Sequence, residues 1–191
     1  MFSEIPITII GILWAVFLVY WLISAVGAKR TIRGKDWWRP LAIRIVLMVL
    51  LVLFFKLRSP RQFFFHLKGV PSSPMAQVAG VLLCALGLAF AIWARMHLGR
   101  NWGMPMSVRE NPELVTSGPY RLVRHPIYSG ALLAMLGSFL VAGRFWLFIF
   151  LVSTAYYIYS ATREEKVMTQ EFPDRYPEYK KGTKMLIPFV W

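Results

Sequence analysis

Cysteine is nearly absent from this 191-residue chain. Cys84 stands alone, so no disulfide can form within it. Histidine is scarce as well, and the three present (His66, His97 and His125) show no metal-ligand spacing with each other or with Cys84. No metal site is expected. No Gly-x-Gly-x-x-Gly follows a strand pattern, and neither a P-loop, a serine elbow nor a zinc signature appears. These absences exclude the usual routes to nucleotide hydrolysis, serine hydrolysis, zinc chemistry and Rossmann-type cofactor binding. Acidic residues are few, nine against 22 Lys and Arg, which leaves a net charge of +13. In a soluble protein that excess would suggest nucleic acid. Here the charges lie between long apolar runs, so they read as loops on the cytoplasmic side of a membrane, facing anionic headgroups. No nucleic-acid partner is expected.

Apolar residues are what the chain has in quantity. They make up 57% of it, and the mean hydropathy is +0.52, too apolar for an ordinary soluble domain. Five apolar runs are near membrane-spanning length, which is roughly 20 residues. They cover residues 5–26, 41–57, 75–94, 127–142 and 145–161. The first begins close to Met1 without a basic leader, and no cleavable signal peptide is expected. In the third run Gly80, Cys84, Gly87 and Ala91 share one helix face, and Gly130, Ala134, Gly137 and Ser138 make a similar face in the fourth. Such small-residue stripes let helix backbones approach closely in lipid. Gly143 and Arg144 predict a tight turn, so the fourth and fifth runs form a helical hairpin. Lys and Arg concentrate in residues 28–40, in residues 95–126 and in the C-terminal tail, which places these on the cytoplasmic side and the N-terminus outside. The fold class predicted is all-α: a polytopic membrane bundle of five transmembrane helices with a cytoplasmic C-terminal tail. It divides into residues 1–94, with three spans, and residues 95–191, with the motif segment, hairpin and tail, as one integral bundle.

Chemistry concentrates at residues 118–130, where Gly118, Pro119, Tyr120, Arg121, Arg124, His125, Pro126, Tyr128 and Gly130 crowd against the start of an apolar run. Proline suits the first turn of a helix, where its missing N–H is no loss. His125 is then held at a helix N-terminus, whose dipole favours anions. In the fifth run Ser153, Tyr157, Ser160 and Glu164 form a polar stripe, which should face the bundle or a cavity rather than lipid. The short turn aligns the start of one hairpin arm with the end of the other, so His125 and Glu164 can meet. A helix N-terminus with Arg124 suits a carboxylate. Glu164 or Glu165 suits an amine or ribose hydroxyls, and tyrosines can stack on a base or face a cation. Glu164 and Glu165 lie about 100° apart on a helix, so one is expected to hold a ligand and the other to pair with an arginine. Tyr156, Tyr157 and Tyr159 read as packing, and His97 as an interfacial histidine.

The order and spacing of Gly118-Pro119-Tyr120-Arg121, Arg124-His125-Pro126-x-Tyr128-x-Gly130, Glu164-Glu165, Phe172, Tyr176, Tyr179 and Leu186-Ile187-Pro188 resemble the isoprenylcysteine carboxyl methyltransferase family. The related phospholipid methyltransferases have a similar C-terminal half. The resemblance covers about residues 95–188 and points to the short prokaryotic type. One departure is Pro173, where the pattern leads us to expect glycine. The resemblance implies an integral membrane methyltransferase with S-adenosyl-L-methionine as cofactor and a lipophilic or lipidated acceptor, isoprenylcysteine carboxylate-like, entering from the membrane lipids. Lipophilic thiols, carboxylates, phenols and phospholipid amines all stay open as acceptors. The resemblance further implies cofactor contacts from Tyr120, Arg124, His125, Tyr128, Glu164, Glu165, Tyr176 and Tyr179, and a catalytic role for Arg163 in holding an acceptor carboxylate. Two other classes compete with this reading: an NADPH-dependent membrane reductase of the sterol reductase type, and a non-enzymatic lipid-binding membrane protein.

Overall fold

The computed structural model describes residues 4–25, 31–33, 73–101, 108–109 and 113–190. The apolar run at 41–57 lies outside the described residues, as do His66 and the paired Trp37 and Trp38. Five α-helices stand among the described residues: α1 (Glu4–Ala25), α2 (Pro74–Leu98), α3 (Pro126–Ala142), α4 (Arg144–Glu171) and α5 (Arg175–Gly182). Three of them, α1, α2 and α4, are long and apolar enough to cross a membrane, and α3 is a shorter apolar helix. A small antiparallel pairing of β1 (Thr31–Arg33) with β2 (Val108–Arg109) sets Thr31 opposite Arg109 and Arg33 opposite Val108. Nothing in the apolar periodicity announces it, because so short a pairing carries no pattern.

The helices begin and end where local chemistry dictates. Ser73 caps α2 by accepting a hydrogen bond from the Ala76 N–H at 3.2 Å, and Pro74 occupies the first turn. Gly99, at φ +54°, ends α2, with its N–H returned to the carbonyls of Arg95 and Met96. Gly143, at φ +90°, turns the chain between α3 and α4, and its N–H bonds the Phe139 carbonyl at 3.0 Å. This is the predicted hairpin.

Close approach of α2 and α3 sets the core. A Cβ added to Gly87 would lie 2.5 Å from the Gly130 carbonyl oxygen and 2.5 Å from the Ala134 nitrogen. One added to Gly137 would lie 2.5 Å from both the Cys84 nitrogen and the Gly80 oxygen. The two small-residue faces therefore meet backbone to backbone, as the stripes predict. Cys84 is fully buried there and accepts a contact from the Ser138 hydroxyl at 3.7 Å. Helix α1 joins through Ile10 and Phe17. Its Trp14 donates Nε1–H to Ser138 Oγ at 3.0 Å and stacks on Trp146 of α4 with ring centroids 5.3 Å apart. Large apolar side chains cover the opposite faces: Ile12, Val16 and Leu22 on α1, Val78, Leu82 and Leu86 on α2, Phe148 and Leu151 on α4, all exposed. Exposed apolar faces on helices of spanning length are surfaces for lipid, not for water.

Helix α4 runs well past the apolar stretch that ends at residue 161. At 1.5 Å per residue it extends about 42 Å, against a hydrocarbon core of about 30 Å. The helix is thus longer than a span needs, and its polar last turns hold Glu164 and Glu165. The chain then breaks at Phe172 and Pro173, where proline cannot continue the helical hydrogen bonds. After the break α5 begins at Arg175.

Candidate functional site

The segment before α3 is built as a platform for His125. Residues Gly118–Arg121 form a 3₁₀ turn that opens with Gly118 at φ +59°. A side chain at that glycine would strike the His97 ring at 2.7 Å. His97 bonds Ser117 Oγ at 2.9 Å and stacks on Tyr120 with centroids 6.5 Å apart. It is an exposed residue that also braces the motif segment. The far end of the chain then returns to pair with this platform. Val123 and Lys184 form a parallel bridge, the Arg124 N–H donates to the Lys184 carbonyl at 2.8 Å, and the His125 N–H donates to the Met185 carbonyl at 3.1 Å. Ser129 Oγ donates to the Leu186 carbonyl at 2.6 Å. Pro126 takes the first helical position of α3, with His125 at its N-cap.

The hairpin then brings five of the singled-out residues together. Arg124 Nε donates to Glu165 Oε1 at 2.7 Å, and its Nη1 donates to the Thr183 carbonyl. Lys180 Nζ lies 2.7 Å from Glu165 Oε2. Glu165 is 3% exposed, and its charge is balanced by the buried Arg124 and the half-exposed Lys180. Glu164, one residue earlier and turned by one helical step, receives the Tyr128 hydroxyl and has a side chain 25% exposed. His125 stands between the two carboxylates, with Nδ1 3.6 Å from Glu164 and Nε2 3.6 Å from Glu165. Its buried Nε2 has no hydrogen-bond partner. The rings of His125, Tyr128 and Tyr157 lie nearly parallel: His125 and Tyr128 at 5.5 Å and 7°, Tyr128 and Tyr157 at 4.5 Å and 6°.

The remaining candidates are arranged differently. Tyr120 is buried, its hydroxyl 3.4 Å from the Ala94 carbonyl, and its own carbonyl accepts the Tyr179 hydroxyl at 2.5 Å. Tyr176 is 3% exposed and packs edge-on against Tyr179. Burial pushes the phenols of Tyr120 and Tyr176 above the ordinary tyrosine range, and pushes Tyr179 up to about 12, so all three stay protonated and can donate. These three tyrosines join α5 to the platform. Arg163 is not part of either group. It is exposed on α4 and makes no ion pair with a described residue.

Sequence reasoning missed three participants. Tyr157 sits in the ring stack rather than in plain packing; its place on the polar stripe with Glu164 was the available signal. Lys180 and the Thr183 carbonyl reach Arg124 and Glu165 from a tail with no periodicity to place them. Among the described residues no His, Cys, Asp and Glu group has the arrangement of a metal site.

Several known proteins are similar to this chain in sequence. A cobalt-zinc-cadmium resistance protein CzcN of Cupriavidus metallidurans is 30% identical over 61% of this chain and 50% of its own length. A protein-S-isoprenylcysteine O-methyltransferase of Schizosaccharomyces pombe is 29% identical over 60% of this chain and 50% of its own. A methanethiol S-methyltransferase 1 of Bradyrhizobium diazoefficiens is 35% identical over 41% of this chain and 27% of its own. The chain thus spans about half the length of the first two relatives and less of the third. Residues 75–175, which hold α2, the platform, the hairpin and both glutamates, match the family described as phospholipid methyltransferase, and by that match over more than half of its length the chain belongs to this family.

Proposed function

We propose that this protein is an integral membrane methyltransferase that uses S-adenosyl-L-methionine and methylates a lipophilic acceptor, isoprenylcysteine carboxylate-like, that arrives through the bilayer. One observation carries the reading. The start of α3 and the end of α4 converge with an aligned aromatic stack, a half-buried carboxylate at Glu164 and a buried imidazole at His125 set between the two carboxylates.

That donor set suits the proposed cofactor. Glu164 offers a carboxylate to an amine or a ribose diol. His125 Nε2 is buried and makes no hydrogen bond, with the Glu165 carboxylate 3.6 Å away. The tyrosine rings cover one another's inner faces, so a cationic sulfonium would meet the outer side of the stack. Arg124 and Lys180 hold Glu165, so this carboxylate orients His125 and fixes the tail rather than meeting the ligand alone. Tyr120, Tyr176 and Tyr179 keep α5 against the platform. Arg163, exposed nearby on α4, is assigned to an acceptor carboxylate. The cofactor supplies an activated methyl group, and the protein supplies alignment and exclusion of water. Alignment alone is worth up to roughly 7–11 kcal/mol in well-oriented systems. A carboxylate or thiolate acceptor needs no strong base. Basic segments at 28–40, 95–126 and the tail support a cytoplasmic site, and residues 1–94 and 95–191 act as one integral bundle.

The test is methyl transfer from labelled S-adenosylmethionine into a total lipid extract by the purified protein. Label in an organic-soluble product is expected, and Glu164→Ala should abolish it. Consumption of NADPH with no label transferred would instead indicate the reductase class.

A further inference from the structure

The far side of the Arg124 guanidinium opens on a second feature. A cleft of about 240 Å³ lies between α5 and the chain that follows it, walled by Arg124, Lys180, Lys181, Lys184, Met185 and Val190. Four of these are cations and no carboxylate lines the cleft. Part of that charge is already answered: Glu165 takes Arg124 and Lys180 from below, and Lys181 pairs with Glu178 at 3.1 Å on an open surface. Lys184 makes no ion pair with a described residue. Four cations against the two carboxylates that pair with them leave two positive charges in excess at the cleft.

The chain past the cleft is apolar and turned outward. Ile187 is 51% exposed, Phe189 90% and Val190 71%. A turn displays them, with the Val190 N–H on the Ile187 carbonyl at 3.2 Å and Phe189 at φ +64°. Its place relative to the membrane follows from the backbone. The Lys184 and Met185 carbonyls hold the N–H groups of Arg124 and His125 at the start of α3, where the apolar helix begins. The turn is thus level with the boundary of the apolar core, beside cations and not far out in water. A soluble anion would leave these apolar side chains wet, whereas a lipid covers both features at once: a phosphate in the cleft, acyl chains and glycerol against the turn.

We propose that this cleft binds the headgroup phosphate of an anionic phospholipid of the surrounding bilayer, with Ile187, Phe189 and Val190 entering the interface beside it. The lipid is a fixed anchor for the C-terminal tail and is distinct from the methyl acceptor. Since Arg124 walls both the cleft and the Glu165 cluster, the bound lipid also holds the tail closed over the hairpin ends. This proposal rests on the membrane placement of α3 and α4, and not on the methyl-transfer reading.

The full-length protein, purified in detergent and stripped of lipid, is titrated with phosphatidylglycerol, with phosphatidylcholine and with inorganic phosphate, and its melting temperature and bound lipid (by native mass spectrometry) are followed. Phosphatidylglycerol should raise the melting temperature, and phosphatidylcholine and phosphate should not. Lys181→Gln/Lys184→Gln removes two exposed cations and should raise the half-saturating phosphatidylglycerol about 30-fold, from the usual contribution of a lysine near an anionic surface. The charge-matched control Arg144→Gln/Lys166→Gln, at two exposed cations of α4 outside the cleft, should stay within about twofold of the parent. Phe189→Ser should weaken phosphatidylglycerol binding also. The proposal is overturned if the 181/184 variant binds like the parent, if the control weakens equally, or if inorganic phosphate alone reproduces the stabilisation. None of these readouts needs the methyl donor, so failure of methyl transfer would leave this result standing on its own.

Discussion

Removing Glu165 should cost the protein far more than removing Lys180, the lysine that reaches it. Glu165 is 3% exposed and accepts from Arg124 Nε and Lys180 Nζ, each at 2.7 Å. The Arg124 side chain is itself only 8% exposed. Glu165→Ala leaves that guanidinium buried with carbonyl oxygens but no counter-charge. Breaking a buried pair from one side costs about 3–5 kcal/mol. Lys180 is 51% exposed, and solvent screens its half of the interaction. Lys180→Ala should therefore cost no more than about 1 kcal/mol. For a chain of this length the difference corresponds to a gap in melting temperature on the order of 5–15 °C. Thermal unfolding of the two variants in one detergent, followed by intrinsic fluorescence, measures it without any ligand. Glu165→Gln should fall between them, because it retains the shape and one acceptor. Equal losses from Glu165→Ala and Lys180→Ala, or no loss from Glu165→Ala, would refute the claim that Arg124 and Glu165 are a buried structural pair.

Other expectations are simpler to test. Gly87→Ala and Gly130→Ala each place a methyl group about 2.5 Å from a carbonyl oxygen of the facing backbone, so both should lower thermal stability by about 1–3 kcal/mol in the same assay. Gly11→Ala, where a Cβ meets nothing within 4 Å, should leave it unchanged or raise it slightly. Orientation is checked with single cysteines in a Cys84→Ala background. An impermeant thiol reagent should label a cysteine at position 72 from outside the cell and fail to label one at position 117, and the opposite pattern would reverse the topology.

Much of this arrangement was legible because it depends on periodicity. Gly80, Cys84, Gly87 and Ala91 announce a helix face without bulk, and only another such face fits against it. The hairpin followed from Gly143, and with it the meeting of His125 and Glu164, since a short turn between two helices leaves little freedom. The division of labour between Glu164 and Glu165 followed from one helical step: Glu165 turns to Arg124, Glu164 to Tyr128. The tail was different. Lys180 and Thr183 reach Arg124, and Lys184 bridges to Val123, through contacts about 60 residues apart in the chain that follow no repeat. The contact of His97 with Gly118 was not legible either, because nothing in its neighbourhood shows that Gly118 must leave room for its ring. The apolar run at 41–57 lies outside the described residues, so the count of five spans is an expectation from composition.

The central claim is that the converging ends of α3 and α4 hold the methyl donor. Titration calorimetry with S-adenosylhomocysteine, on the parent protein and on three single variants, tests it most directly. The parent should bind. His125→Ala and Glu164→Ala should each weaken binding by about 10- to 150-fold, the loss of one charge-assisted hydrogen bond. Arg163→Ala, exposed and outside the cluster, should keep its affinity within a small factor while lowering turnover. Binding unchanged in all three variants, or lost in Arg163→Ala and kept in His125→Ala, would contradict the account.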